Sequence, residues 1–172
     1  MLLNIKGSNK PTRTLVNRAA WWYAEKLMGK RLMNALEINI NINLDRTLGK
    51  KFNMEGSAIW EDEGRRHREF TIELDATMSI RNILITLAHE MVHVKQWAKD
   101  EMYEYMPKGK TEEEWLKSPK IARFKSEKFN MDDINYWDYP WEIEAYGRQL
   151  GLFVRFCEDV GIADREDMKE EC

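Results

Sequence analysis

A chain of 172 residues is of single-domain length, and one domain over 1–172 with a substantial core is expected. Its 43% hydrophobic and 33% charged content, with four prolines and nine glycines, excludes a disordered chain. A net charge of −3 lacks the basic excess of a dedicated nucleic-acid binder, and two cysteines, Cys157 and Cys172, argue against a disulfide framework or a cysteine-based zinc cluster.

The opening Met1–Gly7 holds no apolar core of signal-peptide length, and no stretch approaches a membrane span. A cytoplasmic, reduced protein with no membrane partner is expected. The first helix is predicted from about Thr12 to Met28, where Leu15, Ala19, Trp22, Tyr23 and Leu27 recur at helical spacing and Gly29 supplies a stop. Leu36–Leu44 alternates apolar and polar residues without a break and reads as a strand with one wet face. Two further strands are predicted at Gly56–Asp62 and Arg68–Leu74, joined by a polar turn over Glu63–His67 in which His67 is expected to be solvent-exposed.

Ser79 is placed to cap a long helix from Ile80 to about Met102. Its core stripe is Ile80, Ile83, Leu84, Leu87, Ala88, Met91 and Val92. Short helices follow near Glu112–Leu116 and Ile121–Phe129, and a final helix runs from Pro140, which suits a first turn, to about Val160. The charged tail Arg165–Cys172 is expected to fray. The order of N-terminal helix, small three-stranded sheet, then helices predicts an α+β domain.

The chemistry concentrates in the long helix. His89 and His93 are four residues apart, so at about 100° per residue they share a face and both imidazoles can reach one ion. Two imidazoles suit zinc, and a catalytic site needs one more protein ligand and an open position. Glu90, beside His89, can take a proton from attacking water and pass it to the leaving amine. Two incidental histidines are the competing reading. Only three histidines occur in the chain, however, and two of them have this spacing.

A third ligand is available in Pro140–Tyr146. Glu142 and Glu144 lie about 200° apart on a helix, so only one of them can face the ion. Glu142 shares its side with Ala145, Tyr146, Gln149, Phe153, Phe156 and Val160, a mostly apolar stripe. Glu144 lies with Gly147, Arg148, Gly151 and Arg155 on a side expected to be solvated, and Arg148 offers it an i+4 ion pair. Glu142 is therefore the expected ligand, with one Zn2+ as the cofactor.

Leu87–Gln96 followed by Pro140–Tyr146 resembles the small metallopeptidases of bacteriophages, which are similar to SprT-like and minimal gluzincin zincins. The resemblance implies a zincin-like fold over most of the chain, with His89, His93 and Glu142 on zinc and Glu90 as catalytic base. It also implies a protein or peptide substrate, and host cytoplasm if the protein is phage-encoded. The chain departs from the pattern at two points. Tyr146 stands where related gluzincins often carry a supporting carboxylate or amide, and no histidine follows His93, which favours the glutamate version over the three-histidine one.

In the related zincins, the strand before the active-site helix pairs with an extended substrate. By position this is Arg68–Leu74, which either offers an open edge or is internal and fully paired. Tyr136, Tyr139 and Tyr146 lie near the third ligand in sequence as candidate oxyanion or supporting donors, with packing as the alternative role of each. Lys108, Lys110, Lys117, Lys120, Arg123, Lys125 and Lys128 are interleaved with Trp115, Phe124 and Phe129, which gives weak support for nucleic acid. Glu112, Glu113, Glu114 and Glu127 dilute that run, and a solvated face explains it better.

Three functions follow. The first is a zinc peptidase. The second is a zinc-stabilised regulatory or nucleic-acid-associated module of the same fold with little catalysis. The third couples the two and acts on proteins attached to DNA. Glu90 favours the first, because a purely structural ion needs no base beside it.

Overall fold

The computed structural model describes residues 1–43, 55–63, 66–105 and 118–169. The chain runs β1 (Leu2–Gly7), α1 (Lys10–Met33), β2 (Glu37–Asn43), β3 (Gly56–Trp60), β4 (Glu69–Asp75) and α2 (Ile80–Ala98). It continues through β5 (Met102–Glu104), β6 (Ile121–Phe124) and β7 (Glu127–Asn130) to α3 (Pro140–Asp159). This is an α+β arrangement.

Asn9 caps α1 by accepting from the Thr12 amide at 2.9 Å, and Pro11 occupies the first turn, where no donor is needed. Gly29 breaks the helix as expected: its φ of 74° lies in the left-handed region that favours glycine. The helix then resumes to Met33, five residues beyond the predicted end. In β2 the alternation has its expected result, with Ile38, Ile40 and Ile42 buried on one face.

The principal sheet has four strands in the order β1-β2-β4-β3, not three. The added strand is β1, which pairs in parallel with β2 from Leu2↔Glu37 to Gly7↔Ile42. β4 pairs with β2 in parallel and with β3 antiparallel, so it is internal. Of the two alternatives for Arg68–Leu74, an open substrate edge or an internal paired strand, the structure has the second. Among the described residues, the open edge beside the long helix belongs to β3.

Register shows which groups that edge presents. The Asp75 amide donates to the Glu55 carbonyl at 3.0 Å, and the Glu61 amide donates to the Glu69 carbonyl at 2.9 Å. Hydrogen-bonded pairs recur every second residue, so Ser57↔Glu73 and Ile59↔Thr71 face each other across the ladder. Gly56, Ala58 and Trp60 consequently turn their N–H and C=O groups outward.

α2 begins at Ser79, whose hydroxyl accepts from the Asn82 amide. Every residue of α2 from Thr86 to Ala98 is buried, because α3, α1 and β3 pack around the helix. The stretch 121–129, expected to be helical, instead forms the β6–β7 hairpin of a small sheet ordered β5-β6-β7. Ala122 and Phe124 point into the core from alternate positions, a period-two pattern too short to separate from a helix in sequence. The helix expected near 112–116 lies outside the described residues.

The tail is not frayed throughout. A 3-10 turn at Glu166–Met168 buries Met168 against the core. Among the described residues, no helix is long and apolar enough to cross a membrane.

Candidate metal centre

α2 and α3 pack face to face, and that contact brings three side chains together. His89, His93 and Glu142 are all buried and form a group able to hold a metal ion. The His89 and His93 Nε2 atoms are 3.1 Å apart. Glu142 Oε2 lies 3.3 Å from the first and 3.5 Å from the second. A tetrahedral ion with ligands at roughly 2.0–2.2 Å holds its donors about 3.4 Å apart, so the three atoms already have the spacing such an ion requires.

The hydrogen bonds behind the imidazoles determine what those nitrogens can do. Gln96 donates through Nε2 to the Trp141 carbonyl at 3.0 Å and to Glu144 Oε2 at 3.2 Å. This turns its amide oxygen toward His93 Nδ1, 2.9 Å away. Gln149 Oε1 lies 2.9 Å from His89 Nδ1. An amide oxygen only accepts, so both Nδ1 atoms carry a proton, and each imidazole in its neutral form presents a lone pair at Nε2. Two lone pairs and a carboxylate oxygen at this range repel one another unless a cation stands among them. The donor set fits a metal ion.

The titration of the metal-free group follows from the same crowding. Burial pushes the Glu142 carboxyl up, but hydrogen bonds from His89, His93 and Tyr136 and the His93 charge outweigh it and lower its pKa to about 2. Burial pushes the His93 imidazolium down, and the contact with Glu142 and the charges of Glu90 and Glu142 reverse this to a net rise.

Glu90 stands outside the ligand group. It is buried, and burial raises its pKa against the opposing effects of both histidines. The Ala58 amide, one of the outward-facing groups of β3, donates to its carboxylate. Gly56 supplies the clearance this needs. A Cβ there would lie 2.6 Å from Thr86 Cγ2 and 3.3 Å from Glu90 Oε1. The candidate base is thus pinned between its helix and an open strand edge.

Of the three tyrosines, two reach the site. The Tyr136 hydroxyl donates to Glu142 Oε2 at 2.9 Å and is hydrogen-bonded to that of Tyr146, whose ring lies 4.5 Å from the His89 ring. Tyr139 does not reach it: its hydroxyl donates to the Met131 carbonyl at 2.9 Å and its ring stacks on Trp141. Glu144 is also placed differently from expectation. It keeps the Arg148 pair at 3.0 Å, yet it is largely covered and also binds Lys95 at 2.8 Å.

His67 is buried rather than exposed. Its ring lies 5.0 Å from that of Trp60, and its Nδ1 is 3.0 Å from the Asp62 carbonyl, away from the metal ligands. In the basic run, Phe124 is buried, Phe129 packs on the core and Arg123 is tied to Asp100, which withdraws these groups from base stacking and phosphate contact. Lys108, Lys110, Lys117 and Trp115 lie outside the described residues.

Gln96 and Gln149 are the supporting residues that the sequence reading missed. Spacing carried the signal: Gln96 is one turn after His93, and Gln149 is two turns after Glu142. Glu144→Gln is expected to weaken zinc binding by at most about 10–100-fold, as loss of an outer partner does, and Glu142→Gln by more. Zinc titration against a chromophoric chelator ranks the two, and the reverse ranking would exchange their roles. No protein-family model, curated protein or solved structure matches the chain.

Proposed function

We propose that the protein is a zinc-dependent peptidase of zincin-like fold, with His89, His93 and Glu142 as metal ligands and Glu90 as general base. The observation that carries this reading is the triangle of two Nε2 lone pairs and Glu142 Oε2 beside a buried carboxylate that is not part of it. Imidazole-rich sites suit zinc rather than calcium or magnesium, which take oxygen ligands. Among the described residues three protein ligands converge, the number of a catalytic site, whereas a structural site closes with four. The resemblance to small phage metallopeptidases points the same way.

Bound zinc supplies a Lewis acid that makes water a nucleophile near neutral pH and polarises the scissile carbonyl. The other steps belong to the chain. Glu90 takes the proton of the attacking water and delivers it to the leaving amine. The outward carbonyls and amides of Gly56 and Trp60 pair with an extended substrate backbone laid along β3, next to Glu90. Gln96 and Gln149 hold the ligand imidazoles in one tautomer. Tyr136 and Tyr146 bring phenolic donors to the ligand side of the site.

Metal removal tests the reading. Peptide cleavage is expected to stop on chelation and to return with one equivalent of zinc, while far-UV circular dichroism keeps its folded signature throughout. Cleavage that survived chelation, or a protein that simply unfolded, would sink it.

A further inference from the structure

The aromatic residues around the metal ligands fall into two groups. Tyr139 and Trp141 stack on each other, and Trp141 packs against Phe124 and Phe129. Tyr136, Trp137 and Tyr146 instead face solvent, with 46%, 66% and 41% of their surface exposed. They form one row, with ring centroids 5.4 Å apart between Tyr136 and Trp137 and 5.2 Å apart between Trp137 and Tyr146. The row ends on two metal ligands, through the Tyr136 hydroxyl on Glu142 and the Tyr146 ring on His89.

The backbone that carries this wall is fixed by hydrogen bonds. Asn135 Oδ1 accepts from the Trp137 amide at 3.1 Å, the Tyr139 amide donates to the Tyr136 carbonyl at 3.2 Å, and Tyr139 is itself fixed on Met131. A preorganised surface binds without first having to be ordered. Ile143 and Leu150, one turn either side of Tyr146 on α3, are exposed and extend the apolar surface. The nearby charges of Glu144 and Arg148 are paired with each other. Three contiguous exposed aromatics are unusual on a surface that meets only water.

The wall starts on the ligands, so whatever covers it lies beside the reacting bond. A strand advances about 3.3 Å per residue, which places the covering group within one or two residues of that bond. A protein surface covering the wall would close the metal centre, whereas a substrate side chain would not. We infer that, on the peptidase reading above, this wall takes a large apolar or aromatic side chain of the substrate next to the scissile bond, with Trp137 as its specificity-determining residue.

The test uses the full zinc-loaded chain and a series of blocked alanine–serine decapeptides with Phe, Leu, Ala, Lys or Glu at one central position. The expected kcat/KM for the Phe and Leu peptides exceeds that of the Ala peptide by roughly 10–100-fold, with cleavage beside the substituted residue. Trp137→Ala should bring that ratio close to one with zinc content unchanged, and Trp137→Phe should restore part of it.

The same peptides titrated onto the Glu90→Gln protein report binding without turnover. If the wild-type protein cleaves but Trp137→Ala keeps the full preference, or the preference is for Lys or Glu, the inference falls and the peptidase reading stands. If nothing is cleaved, tighter binding of the Phe peptide that depends on Trp137 keeps the wall and removes the peptidase. Equal binding of all peptides overturns the inference. So does a wild-type dimer in sedimentation that Trp137→Ala dissociates.

Discussion

Glu90→Gln is expected to keep one zinc per chain and to lower peptide turnover by about 10²–10⁴-fold, the range that a positioned acid–base group contributes. The substitution is nearly isosteric. Its amide oxygen can still accept from the Ala58 amide, so the edge of β3 stays in place. The lost property is the ability to take a proton. Metal binding should survive because the ligand group is complete without Glu90. Metal analysis and a fluorogenic peptide assay on the same preparation separate the two effects. Unchanged turnover would remove Glu90 from the mechanism, and lost zinc would move it into the metal site.

Glu90 also illustrates which parts of the site can be read from spacing. His89, Glu90 and His93 lie within five residues of one helix, where the 3.6-residue period alone decides what shares a face. The choice of Glu142 over Glu144 rests on the same period, and in the structure Glu142, not Glu144, meets both histidines. Features that depend on distant partners were not legible. β1 is six residues long and acquires its identity from parallel pairing with β2, some thirty-five positions away.

The position of β4 inside the sheet has the same origin. Its alternation fits an edge or an interior strand equally, and only the pairing with β2 excludes the edge. His67 looked like part of a polar turn because its sequence neighbours are arginines. The Trp60 ring and the Asp62 carbonyl that bury it become neighbours only when the β3–β4 hairpin closes. The Gln149–His89 contact joins two helices sixty residues apart. Helical patterning predicts that Gln149 faces inward, but not what it meets.

The second large effect is expected at Lys95, which no sequence pattern distinguished. It is a buried lysine on α2, with its ammonium between Glu101 and Glu144 Oε1. Burial pushes the Glu144 carboxyl up, and the Lys95 and Gln96 hydrogen bonds with the Lys95 and Arg148 charges reverse this to a net lowering. Lys95→Met removes the cation and leaves two largely covered carboxylates facing each other. Breaking a buried pair this way costs about 3–5 kcal/mol. Glu101 retains 24% side-chain exposure and Glu144 keeps its Arg148 pair, so the lower end of that range applies. At roughly 2–4 °C per kcal/mol for a chain of this size, Tm should fall by about 6–12 °C.

Lys95 is also linked to the candidate metal group through a chain of contacts. It helps to hold Glu144, which accepts from Gln96, whose amide oxygen faces His93. Zinc affinity should therefore weaken along with stability. Adding Glu101→Gln and Glu144→Gln to Lys95→Met removes the uncompensated charge and should recover most of the lost Tm, because exchanging a whole buried ion cluster for neutral groups is often close to neutral. Zinc affinity should recover less, since a glutamine at position 144 is a weaker acceptor for Gln96 than a carboxylate. Thermal unfolding and zinc titration on the single and triple variants separate the two contributions. If the triple variant were no more stable than Lys95→Met, the packing of the lysine stem rather than its charge would account for the loss.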